Sequence, residues 1–146
     1  MRLWPLLENY ARFGYGSGVL MEVFKRKDFA RWQVAQRLSD SLLCQAVEEM
    51  RQGLVDANLG GELFKKRVAG HGAGKRGGYR TLLSARIGNR YVFLHGFAKS
   101  DKANITVEER KALQFAGKVF LELSPVALGR ALQSGVLMEV SCEPNH

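Results

Sequence analysis

Residues 62 to 80 read ELFKKRVAGHGAGKRGGYR, with Lys65, Lys66 and Arg67 on one side of a glycine-rich stretch and Lys75, Arg76 and Arg80 on the other. So many cations with so little side-chain bulk between them are equipped for an anion. Lysine brings a point charge with three donors, while the planar fork of arginine holds two phosphate oxygens and never loses its proton. The charge is also segregated. From Glu62 to Lys102 ten basic residues stand against Glu62 and Asp101, leaving +8, whereas the remaining residues hold twelve basic and twelve acidic side chains and sum to zero. The whole excess of the chain, +8 at pH 7, thus belongs to one central segment. Solubility needs no such confinement, so the pattern points to a polyanionic partner rather than a neutral metabolite.

Several phosphate and metal chemistries are excluded by spacing. A P-loop requires glycine five residues before its Gly-Lys pair and Ser or Thr after it, and Ala69 and Arg76 occupy those places. A dinucleotide fingerprint opens a helix, whereas this glycine stretch leads into another β-rich run. His71, His95 and His146 have no ligand spacing and the basic segment is nearly free of carboxylates, so neither a metal nor a cofactor is expected. Cys44 and Cys142 form neither a zinc pattern nor a disulfide framework, and a reducing cytoplasm is expected.

The elements that must position these cations follow from periodicity. The 146 residues, 46% hydrophobic and 25% charged, suffice for one core. The first twenty lack a signal peptide's apolar run, because Glu8 and Arg12 interrupt it, and no stretch is long enough to cross a bilayer. Met21 then begins MEVFKRKDFARW, a natural start. Residues 1–20 are therefore expected to be a leader or misassigned start, the alternative being a helix over Trp4 to Phe13, and residues 21–146 a single domain. Glu22 to Lys25 suits a strand, and Asp28 can cap a short helix with Phe29 and Trp32 on one side. Ser39 or Asp40 caps a longer helix carrying Leu43, Val47, Met50 and Leu54. Strands are expected at Leu63 to Ala69, Tyr79 to Ile87 and Tyr91 to Ala98, the last two joined through Gly88-Asn89. Thr106 and Glu109 form the capping box of a helix with Val107, Leu113, Ala116, Phe120 and Leu123; Ser124-Pro125 starts another that Gly135 ends; VLMEV adds an edge strand. The sum is an α+β fold, an antiparallel sheet with helices before and after it.

Alternation along a strand sends Lys65 and Arg67 to one face and Phe64 and Val68 to the other, with Lys66 beside the apolar pair. If Arg80 lies on the neighbouring strand beside Lys65 and Arg67, three cations meet, which costs free energy unless an anion fills the space. The glycines at 70, 72, 74, 77 and 78 permit a loop that carries Lys75 and Arg76 over a nucleic-acid strand.

LGGELFKKRVAGHGAGKRGGYRTLL, followed by VFLHGFAKSDKANITVEERKAL, resembles the RelE/ParE superfamily of bacterial toxins, specifically its HigB-like RelE-type branch. The resemblance runs from about Met21 to the C-terminus; GFAKSDKANI is its most specific part and GGYR the more general one. It implies a compact antiparallel sheet with N-terminal helices and a C-terminal helix packed on it, a helix-turn-helix (HigA-like) antitoxin as partner, and cleavage of mRNA on the translating ribosome without a membrane association. It also implies metal-independent attack of the RNA 2′-hydroxyl on the adjacent phosphorus. Residue by residue, Lys65 and Arg67 match the superfamily's basic pair, Arg80 the arginine of its G-Y-R motif, and Lys99 a basic position after GF. The expected roles are phosphate stabilisation by Arg67 and Arg80, proton donation or acceptance by Lys65, and a phosphate contact by Lys99. Lys66, Lys75, Arg76, Lys102 and the stacking ring of Phe97 are expected RNA contacts. Where relatives carry a late tyrosine or histidine this chain has Asn104 and Ile105, so His95 and Tyr79 are the substitutes as acid or base. A ParE-like gyrase inhibitor and a non-catalytic RNA-binding protein are the alternative readings.

Overall fold

In a computed structural model that describes residues 21–70, 74–98 and 105–142, the chain runs β1 (Glu22–Arg26), α1 (Lys27–Ala35), α2 (Asp40–Arg51), β2 (Ala57–Gly60), β3 (Leu63–Gly70), β4 (Gly74–Arg86), β5 (Arg90–Ala98), α3 (Val107–Leu121), α4 (Pro125–Ser134) and β6 (Leu137–Glu139). The leader or helix expected over residues 1–20 lies outside the described residues.

Hydroxyl side chains set three helix starts. Ser39 accepts the Leu42 amide at the head of α2, Thr106 and Glu109 close a full capping box on α3, and Ser124 accepts the Ala127 amide ahead of Pro125. Gly135, at φ 85°, ends α4 in the left-handed conformation that a side chain would resist. Asp28 does not cap α1: Arg26 holds that position without a side-chain bond, and Asp28 sits in the first turn paired with Arg31. Leu54 falls beyond α2 and is exposed. On α3 the buried stripe is Leu113, Gly117 and Leu121, spaced one turn apart, and Val107 faces solvent.

The six strands form one sheet in the order β2-β3-β4-β5-β1-β6. Every pairing is antiparallel except β1 with β5, which is parallel, so the sheet is mostly antiparallel as expected for the α+β fold. Both faces are covered. On one, Phe29 of α1 and Leu43, Val47 and Met50 of α2 pack on Val23, Val68, Leu83 and Phe93. On the other, Leu113 and Leu121 of α3 and Leu128 of α4 pack on Leu63, Leu82, Val92 and Leu94. Burial on two sides explains why the middle of β4 and β5, TLLSA and YVFL, reads as continuous small or apolar sequence rather than alternation. α3 lies close to the sheet because Gly117 has no Cβ; one built there would sit 1.7 Å from the Ser84 hydroxyl oxygen.

Two further expectations are corrected. The glycine-rich stretch is not a loop through residue 78, since β4 begins at Gly74 and Gly70 pairs with Gly74. Cys44 and Cys142 form a disulfide, with Cα atoms 5.4 Å apart across 98 residues of sequence. Spacing along the chain carried no sign of it, because β6 pairs with β1 and delivers the C-terminal residues beside α2.

Candidate nucleic-acid interface

Strand register assembles the site. Arg67 on β3 lies directly opposite Arg80 on β4, and Arg80 opposite Phe97 on β5. Two residue pairs along, Lys65 lies opposite Leu82, and Leu82 opposite His95. Directly opposed residues share a face, with Cβ atoms about 4.5–5.5 Å apart. Leu82 belongs to the α3-side cluster and Phe97 packs against it, so Lys65, Arg67, Arg80, His95 and Phe97 all emerge on that face.

A β-bulge brings His95 there. Leu82 pairs with His95 while Leu83 pairs with Phe93, so β5 spends two residues, Leu94 and His95, where β4 spends one. With unbroken alternation His95 would share the face of Phe93, which is buried under α1 and α2. The extra residue turns both Leu94 and His95 toward α3. Gly96, next in line, points back the other way, and the Trp32 ring occupies the space its Cβ would take, 2.3 Å from the built position.

The cations on this face are unequally compensated. The Arg67 guanidinium lies 3.6 Å from Asp56, which also accepts the Arg67 backbone amide. Among the described residues neither Lys65 nor Arg80 has an acidic partner, and both side chains are half-buried. Like charges opposed on adjacent strands are destabilising without a counter-ion, so the Arg67–Arg80 rung favours an anion above it. The His95 imidazole stands 5.9 Å from the Phe97 ring. Its pKa is lowered from 6.5, chiefly by partial loss of water and further by the Arg26 cation, with Glu109 of α3 opposing. A depressed pKa keeps the ring neutral near pH 7, able to accept a proton.

Several expected residues are placed elsewhere. Lys66, read as an RNA contact, is interior: its side chain is 4% exposed and its ammonium lies 2.8 Å from the Glu49 carboxylate of α2. The same alternation that turns Lys65 and Arg67 outward drives it beneath α2. Tyr79 is on that α2 side too, edge-on to Trp32 at 5.5 Å, away from the cations. Lys99 and Lys102 lie outside the described residues, as do the side chains of Lys75 and Arg76, whose backbone belongs to β4.

The basic segment therefore divides into two populations. At the far end of β4 and β5, Arg86 pairs with Glu62 and Glu122. Arg90 pairs with Glu22 and donates to the carbonyls of Phe120, Leu121 and Leu123, closing the C-terminal end of α3. These are structural cations. Charge left for a ligand gathers at the end of the sheet where β3 and β4 meet. Sequence reading missed Asp56, Arg26 and Glu109; of these only Glu109 carried a signal, as the acid of a capping box. No helix among the described residues is long and apolar enough to cross a membrane, and no cluster of His, Cys, Asp and Glu among them could hold a metal ion.

No curated protein matches the chain. A family model described as RelE toxin of RelE / RelB toxin-antitoxin system matches residues 21–140, from the first strand through the last. An α+β sheet between two helical layers, with a lysine-arginine pair and the arginine of GGYR on adjoining strands, is thus carried by a chain that belongs to the RelE toxin family of toxin-antitoxin systems, whose members act with a cognate antitoxin.

Proposed function

We propose that this toxin is a metal-independent endoribonuclease that cleaves mRNA on the translating ribosome. The observation that supports the reading is the pair of rungs, Arg67–Arg80–Phe97 and Lys65–Leu82–His95, which puts two guanidinium forks, an ammonium, an imidazole and an aromatic ring on one face. RNA supplies its own nucleophile. The 2′-oxygen forms a bond to phosphorus as the bond from phosphorus to the 5′-oxygen breaks, leaving a 2′,3′-cyclic phosphate and a free 5′-hydroxyl. One proton leaves the 2′-hydroxyl and one reaches the 5′-oxygen. Arg67 and Arg80 neutralise the charge that grows on the phosphorane, and His95 and Lys65 carry the two proton transfers. Phe97 stacks on a base and fixes the nucleotide. Lys99 and Lys102, with Lys75 and Arg76, extend the backbone contacts. A helix-turn-helix antitoxin is the partner proposed to hold the toxin silent.

Arg80→Ala should abolish scission of a message in a translating extract while circular dichroism and the unfolding midpoint stay near wild type. Cleavage at the wild-type rate in this variant would remove the site from the mechanism. Gyrase inhibition by the wild-type protein, or RNA binding with no cleavage, would replace the reading with one of its alternatives. Lys65→Ala should also flatten the salt dependence of RNA affinity, by a slope of about 0.7 if it meets one phosphate of a single strand.

A further inference from the structure

The bulge on β5 interrupts the ladder with β4 at Leu94 and His95, and a carbonyl at such a break can take a donor from outside the ladder. Arg26 supplies that donor: its Nε–H reaches the Leu94 carbonyl oxygen at 2.7 Å. Arg26 closes β1, two residues beyond Phe24, whose ring lies in the α3-side cluster, so its side chain emerges on the same face as His95. Its strand partner on β6 is Leu137, also of that cluster. Arg26 is half-buried, and its electrostatic reach extends to the His95 ring.

We propose that Arg26 is a positioning residue for the RNA-cleaving site: it clasps the β5 bulge at Leu94 and thereby holds the His95 imidazole on the face shared by Lys65, Arg67 and Arg80. Straightening the bulge would return His95 to the buried side or shift the register of residues 95–98, moving Phe97 with it. The clasp also sets the charge around the ring. From β1 comes Arg26, from α3 Glu109, from β3 Lys65 and from β4 Arg80 on the next rung of the same face; of these only Glu109 favours the imidazolium. Arg26 thus serves two ends with one group, fixing where the imidazole stands and keeping it neutral.

This inference rests on the endoribonuclease reading for its kinetic arm but not for its titration arm. Arg26→Gln keeps a donor and loses the charge, whereas Arg26→Lys keeps the charge and loses the planar fork. In wild-type, Arg26→Gln and Arg26→Lys toxin the His95 ring is titrated by NMR, and scission of a defined message on programmed ribosomes is followed across pH. Arg26→Gln should raise the His95 pKa and move the alkaline or acid limb of the rate profile with it, with kcat lower by about 10- to 100-fold and KM within roughly twofold. Arg26→Lys should leave the His95 pKa depressed and recover only part of kcat. A residue that merely stiffened the fold would shift neither titration nor profile. An unchanged His95 pKa and unchanged kcat in Arg26→Gln would overturn the proposal. If that variant does not fold, full activity in Arg26→Lys overturns it instead. Absence of cleavage by the wild-type protein would defeat the functional reading, while the titration would still decide whether the clasp governs His95.

Discussion

Breaking the Cys44–Cys142 bond should cost this protein more stability than any single contact in its core. The bond joins α2 to the residue pair just beyond Val140, whose amide donates to the Val23 carbonyl at 2.8 Å. It closes a loop of 98 residues. Without it the C-terminal end is held by a three-residue edge strand, Leu137–Glu139, and by the burial of Leu137 and Val140. In the chain-entropy account a closed loop of this length lowers the freedom of the unfolded chain by about 4.7 kcal/mol at 25 °C. For a domain of this size each kcal/mol moves the midpoint by about 4 °C, so the loss amounts to about 15–20 °C. The measurement is thermal and urea unfolding of the oxidised protein, of the same protein in reductant, and of the Cys44→Ala/Cys142→Ala variant. Reduced and doubly substituted forms should agree, with the urea slope larger than in the oxidised form, because an untethered unfolded chain exposes more surface. A midpoint within a few degrees of the oxidised protein in both would refute the loop-closure argument. Two alkylatable thiols in unreduced, denatured protein would refute the bond itself.

Three other outcomes follow from the same geometry. Lys66→Met strips the Glu49 carboxylate of its buried partner and should cost about 3 kcal/mol in urea unfolding, at the low end for such pairs because Glu49 keeps other interactions; adding Glu49→Gln should recover much of it, and a neutral single substitution would contradict the pairing. Gly96→Ala places a methyl in the Trp32 ring and should destabilise by about 1–3 kcal/mol, with relief from Trp32→Leu; equal stability of Gly96→Ala and wild type would mean that α1 is not seated on β5 as described. Because the folded His95 pKa lies below 6.5, the unfolded chain binds the extra proton first, so the His95 contribution to stability is complete above 6.5 and is lost as pH falls through the folded value; His95→Gln should flatten that part of the stability profile, and an unaltered slope would show the ring to be fully hydrated.

The chain itself determined most of its helix ends, the core of its three central strands and the faces on which Lys65, Lys66 and Arg67 stand. Ser39, Thr106, Ser124 and Gly135 act within a few residues of themselves, so their caps are local facts of sequence. Alternation put Lys65 and Arg67 outward and Lys66 inward for an equally local reason, although only the partner helix shows that an inward lysine finds Glu49 and is lost as a ligand contact. What needed the tertiary structure is whatever depends on residues far apart in the chain. The parallel seat of β1 against β5 and the return of β6 decide that Cys44 meets Cys142, and no spacing rule spans 98 residues. Whether an arginine serves the fold or a ligand is likewise decided by neighbours: Arg86 and Arg90 meet carboxylates and carbonyls from other elements, while Arg80 meets none among the described residues. The bulge is the sharpest case. A strand's period is two for as long as its ladder is regular, and a single added residue, visible only in the pairing of β4 with β5, moves His95 from one face of the sheet to the other.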